Sequence, residues 1–121
     1  MKHTVNKHDK YVVIQLQEEK LNTQIAPELK AQFVYLNSKG IKNIIIDLSE
    51  VKYCDSSGLS AILVGNRLCK NSQGSFVLAK IQESVMKLIS ISQLESVLNI
   101  VPTVEEATDL VIMDEVGRDI K

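Results

Sequence analysis

Asn43-Ile44-Ile45-Ile46-Asp47-Leu48-Ser49-Glu50-Val51-Lys52-Tyr53-Cys54-Asp55-Ser56-Ser57-Gly58-Leu59 is the stretch that decides the fold. Residues Asn43 to Leu48 are a continuous apolar strand and not an alternating one, the signature of a central strand covered on both faces. Ser49 to Cys54 is a connection that turns from polar to apolar. Asp55-Ser56-Ser57-Gly58 then leads straight into an apolar helix. Two adjacent hydroxyls between a carboxylate and a glycine, at a strand-to-helix turn, make an exposed and addressable site. In open α/β sheets, functional loops follow the carboxyl ends of strands, and this turn sits in such a place.

Downstream, the helix spans about Ser57 to Asn71. At 100° per residue, Ala61, Ile62, Val64, Gly65, Leu68 and Cys69 fill one arc and Ser60, Arg67 and Asn71 the opposite one. Leu59 and Leu63 fall off the main arc, beside Asn66 and Lys70, so that either a second surface covers them or the twist of the sheet buries them anyway. Gln73-Gly74 is a turn, and Ser75 to Ala79 the next strand. Ile81 to Ser92 reads as a short helix and Val97 to Val101 as a short final strand. Pro102-Thr103-Val104-Glu105-Glu106 opens a last helix, with Thr103 and Glu106 in a capping box. The polar tail after Asp114 is expected to fray.

Upstream, residues 1–10 are polar and predict a frayed lead-in or a short edge strand. Tyr11 to Gln17 is a strand rich in β-branched residues, and Glu18 to Thr23 a polar connection. A helix opens near Pro27 and runs to about Ser38, with Leu29, Phe33 and Leu36 at core spacing. Asn22 or Thr23 is a candidate cap. Lys39-Gly40 stops that helix. The alternation of strands and helices predicts an α/β domain with a mixed, mainly parallel sheet of four to five strands and about four helices. At 121 residues, a single domain over 1–121 is expected.

Composition excludes several classes. A net charge of −1 gives no reason to expect nucleic acid as a partner, and no apolar run is long enough for a membrane span. The amino terminus lacks a signal-peptide core, so a cytoplasmic location is expected. Cys54 and Cys69 read as small buried hydrophobes, and with His3 and His8 the only histidines, no metal or other cofactor is expected. The same shortage of histidine argues against a Ser-His-Asp triad, and neither serine stands in Gly-x-Ser-x-Gly. Neither a phosphate loop nor a dinucleotide fingerprint occurs.

What remains for the turn is capping or modification. A capping role for Ser56 or Ser57 needs one hydroxyl only. Phosphate on the other would add about −1.5 to −2 of charge. A helix amino terminus tolerates that charge, by about 0.3–1 kcal/mol, whereas an acidic or apolar partner surface would not. The domain would stay folded while one surface changed its affinity.

The motif and the element order resemble the STAS domain family, in particular its stand-alone bacterial anti-sigma factor antagonists. The resemblance runs from Tyr11 to about Glu115 and centres on the apolar strand, Asp47-Leu48-Ser49, and Asp55-Ser56-Ser57-Gly58-Leu59. Leu88 to Leu94 also looks like the family's segment after its third helix. The resemblance implies a protein that is not an enzyme but binds an anti-sigma factor, itself a serine kinase, and so releases a sigma factor. It implies phosphorylation at Ser56, with Asp55 and Ser57 in support, and reversal by a PP2C-type phosphatase. It also implies partner contacts at Gly58 and Leu59, to which the helical wheel adds Leu63. A monomer is expected. One departure stands out: where the family often carries Gly-x-Leu/Val-Asp before its first helix, this chain has Glu19-Lys20-Leu21-Asn22. The alternative is a non-switching scaffold subunit of a transporter or lipid-transport complex; nucleotide binding ranks behind both.

Overall fold

The apolar runs pair into one mixed sheet in the computed structural model, which describes residues 1–120. The elements are β1 (His3–Lys7), β2 (Val12–Leu16), β3 (Lys20–Leu21), α1 (Ala26–Ser38), β4 (Ile44–Asp47), β5 (Tyr53–Cys54), α2 (Ser56–Asn71), β6 (Phe76–Ala79), α3 (Glu83–Ile91), β7 (Asn99–Val101) and α4 (Val104–Asp119). The main sheet has the order β1-β2-β4-β6-β7. Its polar first strand is antiparallel to β2 at the edge, and the remaining pairs are parallel. The expected α/β architecture is thus present, with the lead-in resolved as an edge strand.

β4 is central and buried on both sides, as its continuous apolar run requires. Ile44 and Ile46 point with Ile14, Phe76 and Leu78 into a large core roofed by α1, α2 and α3. Ile45 points with Val13, Val77 and Ala79 into a smaller core closed by Ala107 and Val111 of α4. On the larger side, Gly65 lets α2 press against its neighbours: a Cβ there would lie 2.6 Å from the Phe76 ring and 2.8 Å from the Phe33 ring. Those two rings meet edge to face at 5.4 Å, a geometry favoured by the aromatic quadrupole. Gly40 closes α1 at φ +82°, a left-handed conformation that a glycine adopts without strain.

Three local expectations shift. α1 begins at Ala26 with Ile25 before it and no side-chain cap, so neither Asn22 nor Thr23 caps it. α3 and β7 are each shorter than predicted, because Leu94 to Leu98 closes a turn, with Leu98 N–H donating to the Leu94 carbonyl. The tail after Asp114 does not fray up to Asp119. The Glu115 carboxylate accepts from Asn43 Nδ2 and from Arg118 Nη2, both at 2.7 Å. Asn43 Oδ1 in turn accepts from the Ser75 amide at 2.8 Å, so the last turns of α4 are tied to the starts of β4 and β6.

Those bonds, with Asn43 the largest cause and Arg118 next, hold the Glu115 carboxyl down at about 2, against an ordinary value of 4.5. A carboxyl depressed by folding contributes stability that is fully present above its unfolded value. That contribution is lost as pH falls from about 4.5 towards 2.

Candidate functional site

The turn before α2 is mounted on a second, two-stranded sheet. Asp47 Oδ1 accepts from the Ser49 amide at 2.9 Å and bends the chain out of β4. Gln82 Nε2 holds the Ser49 carbonyl at 2.7 Å. The chain then pairs in parallel with β3, Lys20 beside Tyr53 and Leu21 beside Cys54. The Lys52 and Tyr53 amides donate to the Glu19 carbonyl, and the Asp55 amide donates to the Leu21 carbonyl at 3.2 Å. The connection after β2 is therefore not a plain polar loop. It is the other half of the site.

Asp55 is the cap of α2. Its backbone is extended, and its Oδ1 accepts from the Gly58 amide at 3.0 Å. The expectation that a serine caps this helix is corrected, because the carboxylate one residue earlier already holds the first-turn amide that a hydroxyl would have taken. Ser56, the first helical residue, is exposed, and its hydroxyl has no hydrogen-bond partner among the described residues. Ser57 is half-buried, with its Oγ 3.3 Å from Thr23 Oγ1 across the gap to the loop before α1.

Gly58 is buried for a steric reason. A Cβ there would come 2.3 Å from the Leu21 carbonyl oxygen and 2.8 Å from Cys54 Sγ, so only glycine lets α2 start this close to β3. Leu59 decides between the two readings of the wheel in favour of burial. It is only 6% exposed and belongs to the large core. α2 packs against α1, β5 and β6 together, so more than one arc of the helix is enclosed. Leu63, one turn on, is half-buried at the margin of that core, and Ser60 is exposed beside it. The site residues thus divide into those at the surface (Ser56, Ser60, part of Leu63) and those that shape it from beneath (Gly58, Leu59).

Beside Asp55 lies an open depression of about 520 Å³, lined by Lys20, Asn22, Thr23, Gln24, Tyr53 and Asp55. Tyr53 is more than half exposed. Asn22 Oδ1 accepts from the Gln24 amide at 3.1 Å to turn the chain into α1. Thr23 and Tyr53 are the neighbours that reading the sequence missed. Only the two-residue ladder between β3 and β5 brings them to the motif, and two residues leave no periodic trace.

The chemistry available is that of a recognition surface. No group of three or more His, Cys, Asp and Glu side chains is placed to hold a metal among the described residues. The Cys54 thiol under the turn is pushed up to about 12, by burial first and by the Asp55 charge second. It is no nucleophile at neutral pH. No described helix is long and apolar enough to cross a membrane.

Comparison with known proteins agrees with this architecture. The family model described as the STAS domain matches residues 2–107. A Thermotoga maritima protein with the ascribed role of anti-sigma factor antagonist is 32% identical over 108 residues, spanning 88% of this chain and 91% of its own. BtrV of Bordetella bronchiseptica, with the same ascribed role, is 28% identical over 107 residues, spanning 88% and 91%. A crystal structure of an antagonist of that description from Thermotoga maritima superposes with a TM-score of 0.82 at 29% identity, covering 90% of this chain and 93% of its own.

Proposed function

The chain belongs to the STAS domain family, and from that premise we propose that it is an anti-sigma factor antagonist switched off by phosphorylation of Ser56. Unmodified, the domain binds an anti-sigma factor that is also a serine kinase and so frees a sigma factor. A PP2C-type phosphatase resets it. It works as a cytoplasmic binding module without an active site of its own, one domain over residues 1–121.

The observation that carries the reading is the division of labour at the turn. Asp55 does the capping and Ser57 leans on Thr23, so the exposed Ser56 hydroxyl is the one group left without a structural task. Phosphate there stands at the positive end of α2, where the first amides of a helix have no partners inside it. The fold therefore tolerates the charge. The surface made by Ser56, Ser60 and Leu63 does not offer it to a partner neutrally: about −1.5 to −2 of charge must be desolvated on binding. Gly58 and Leu59 act on this contact by fixing the backbone and Leu63 by touching the partner.

Two measurements test the proposal. Incubated with the anti-sigma factor kinase and ATP, the wild type gains one phosphate by intact mass and Ser56→Ala gains none. Phosphate on Ser56→Ala, with wild-type Ser56 unmodified, would reassign the site. Ser56→Asp lowers affinity for the anti-sigma factor by about tenfold or more, roughly 1.4 kcal/mol. Unchanged affinity would instead favour the non-switching scaffold of a transporter or lipid-transport complex.

A further inference from the structure

The Ser56 turn has a support that its own residues do not show. Just after β6, Lys80 stands at φ +58°, a left-handed conformation that a lysine adopts only where its surroundings impose it. The chain bends there and enters α3, which packs beside β5. From this bend three side chains, at steps of two, reach back to the connection between β4 and β5. Lys80 Nζ lies 4.0 Å from Asp47 Oδ2. Gln82 Nε2 donates to the Ser49 carbonyl at 2.7 Å, and Ser84 Oγ donates to the Lys52 carbonyl at 2.6 Å.

Those two carbonyls belong to a segment outside both sheets. Its backbone closes one turn, from the Val51 amide to the Leu48 carbonyl. On the other side, the Lys52 amide donates to the Glu19 carbonyl at 2.8 Å, and Lys52 Nζ pairs with Glu19 Oε1 at 3.2 Å. Lys52 is thus held towards β3 by its amide and towards α3 by its carbonyl. Three residues on stands Asp55, the cap of α2, and then Ser56.

We propose that Gln82 and Ser84 are positioning residues for Ser56. They fix the course of the connection, and with it the backbone from which Asp55 and the first turn of α2 begin. The proposal rests on reading Ser56 as the phosphate acceptor. Phosphoryl transfer needs the acceptor oxygen in line with the leaving oxygen, and a misplacement of about 1 Å can cost about 100-fold in rate. Docking uses Ser60 and Leu63, further along a helix seated in the large core. Loss of the two donors therefore lowers kcat for phosphorylation and leaves KM in place.

Gln82→Glu keeps the shape and exchanges a donor for an acceptor. Ser84→Ala removes the hydroxyl, and Ser84→Thr keeps it. Hydrogen–deuterium exchange on the whole chain, with no partner present, is the first readout. In the double variant Gln82→Glu, Ser84→Ala, the Lys52, Tyr53 and Asp55 amides exchange about tenfold faster, while those of β4 and β6 do not change. The second readout is steady-state phosphorylation of Ser56 by the anti-sigma factor kinase with ATP. There kcat falls about fivefold or more at constant KM, and Ser84→Thr alone matches the wild type. Equally faster exchange in β4 and β6 would leave the two residues a general stabilising role and overturn the proposal. Unchanged kcat in the double variant would overturn it alone, whereas a wild type that takes no phosphate on Ser56 would overturn the acceptor reading as well.

Discussion

Two helices of this molecule begin with an acceptor side chain holding the amide three residues on, and they differ in which group does the holding. At α4 the Thr103 hydroxyl accepts from the Glu106 amide at 3.0 Å, and Glu106 Oε2 stands 3.4 Å from the same hydroxyl. The hydroxyl is used up. At α2 the Asp55 carboxylate accepts from the Gly58 amide at the same 3.0 Å, and the hydroxyls that follow are surplus to the cap. The third position differs too: Glu106 is an exposed long side chain, whereas Gly58 is buried against β3. One start is a closed local device. The other is welded to a distant strand and leaves a reactive-type group outside. The same capping geometry thus leaves hydroxyls free at one helix start and none at the other.

Mutations at matched positions sharpen that contrast. The largest effect is expected at Gly58→Ala, where the new methyl meets a backbone oxygen at 2.3 Å that cannot step aside. Urea unfolding should show about 2–3 kcal/mol lost, while Glu106→Ala at the matching position loses about 0.5 kcal/mol or less. Asp55→Ala comes next, at about 1–2 kcal/mol, and Asp55→Asn should keep most of it because an amide oxygen caps as well. Thr103→Ala should cost about 1 kcal/mol or less, being exposed. If it cost more than Asp55→Ala, the contrast between the two starts would be reversed. Ser57→Ala is expected to be smallest, a few tenths of a kcal/mol by the same assay, since it removes one long, exposed contact to Thr23.

The sheet was readable because its signals are local. Runs such as Ile44 to Ile46 and Phe76 to Ala79 announce buried strands by composition, and Lys39-Gly40 or Thr103 to Glu106 announce helix ends by chemistry. At Thr103 half of the expected capping box is present: its hydroxyl holds the Glu106 amide, while the Glu106 carboxylate turns to that hydroxyl and not to the Thr103 amide. The motif at Asp55 to Leu59 stood out as a strand-to-helix turn, yet two of its internal assignments were not legible. A sequence shows that Asp55 and two serines can each cap, but the choice depends on backbone angles that no composition carries. Leu59 turned inward because α1 and β5 flank α2 as well as the sheet backing it, a matter of tertiary packing. The end of α4 escaped notice for a related reason. Glu115 looks like a solvated tail residue until Asn43, 72 positions away, is found against it.

Cys54 lends the turn a property unconnected with its geometry. Oxidants attack thiolates, and a thiol held near 12 beneath the first turn of α2 offers almost none at neutral pH. Cys69, buried in the same helix, is likewise pushed up to about 12 by burial. Neither thiol beneath or within α2 is therefore primed for attack by peroxide or for thiol exchange.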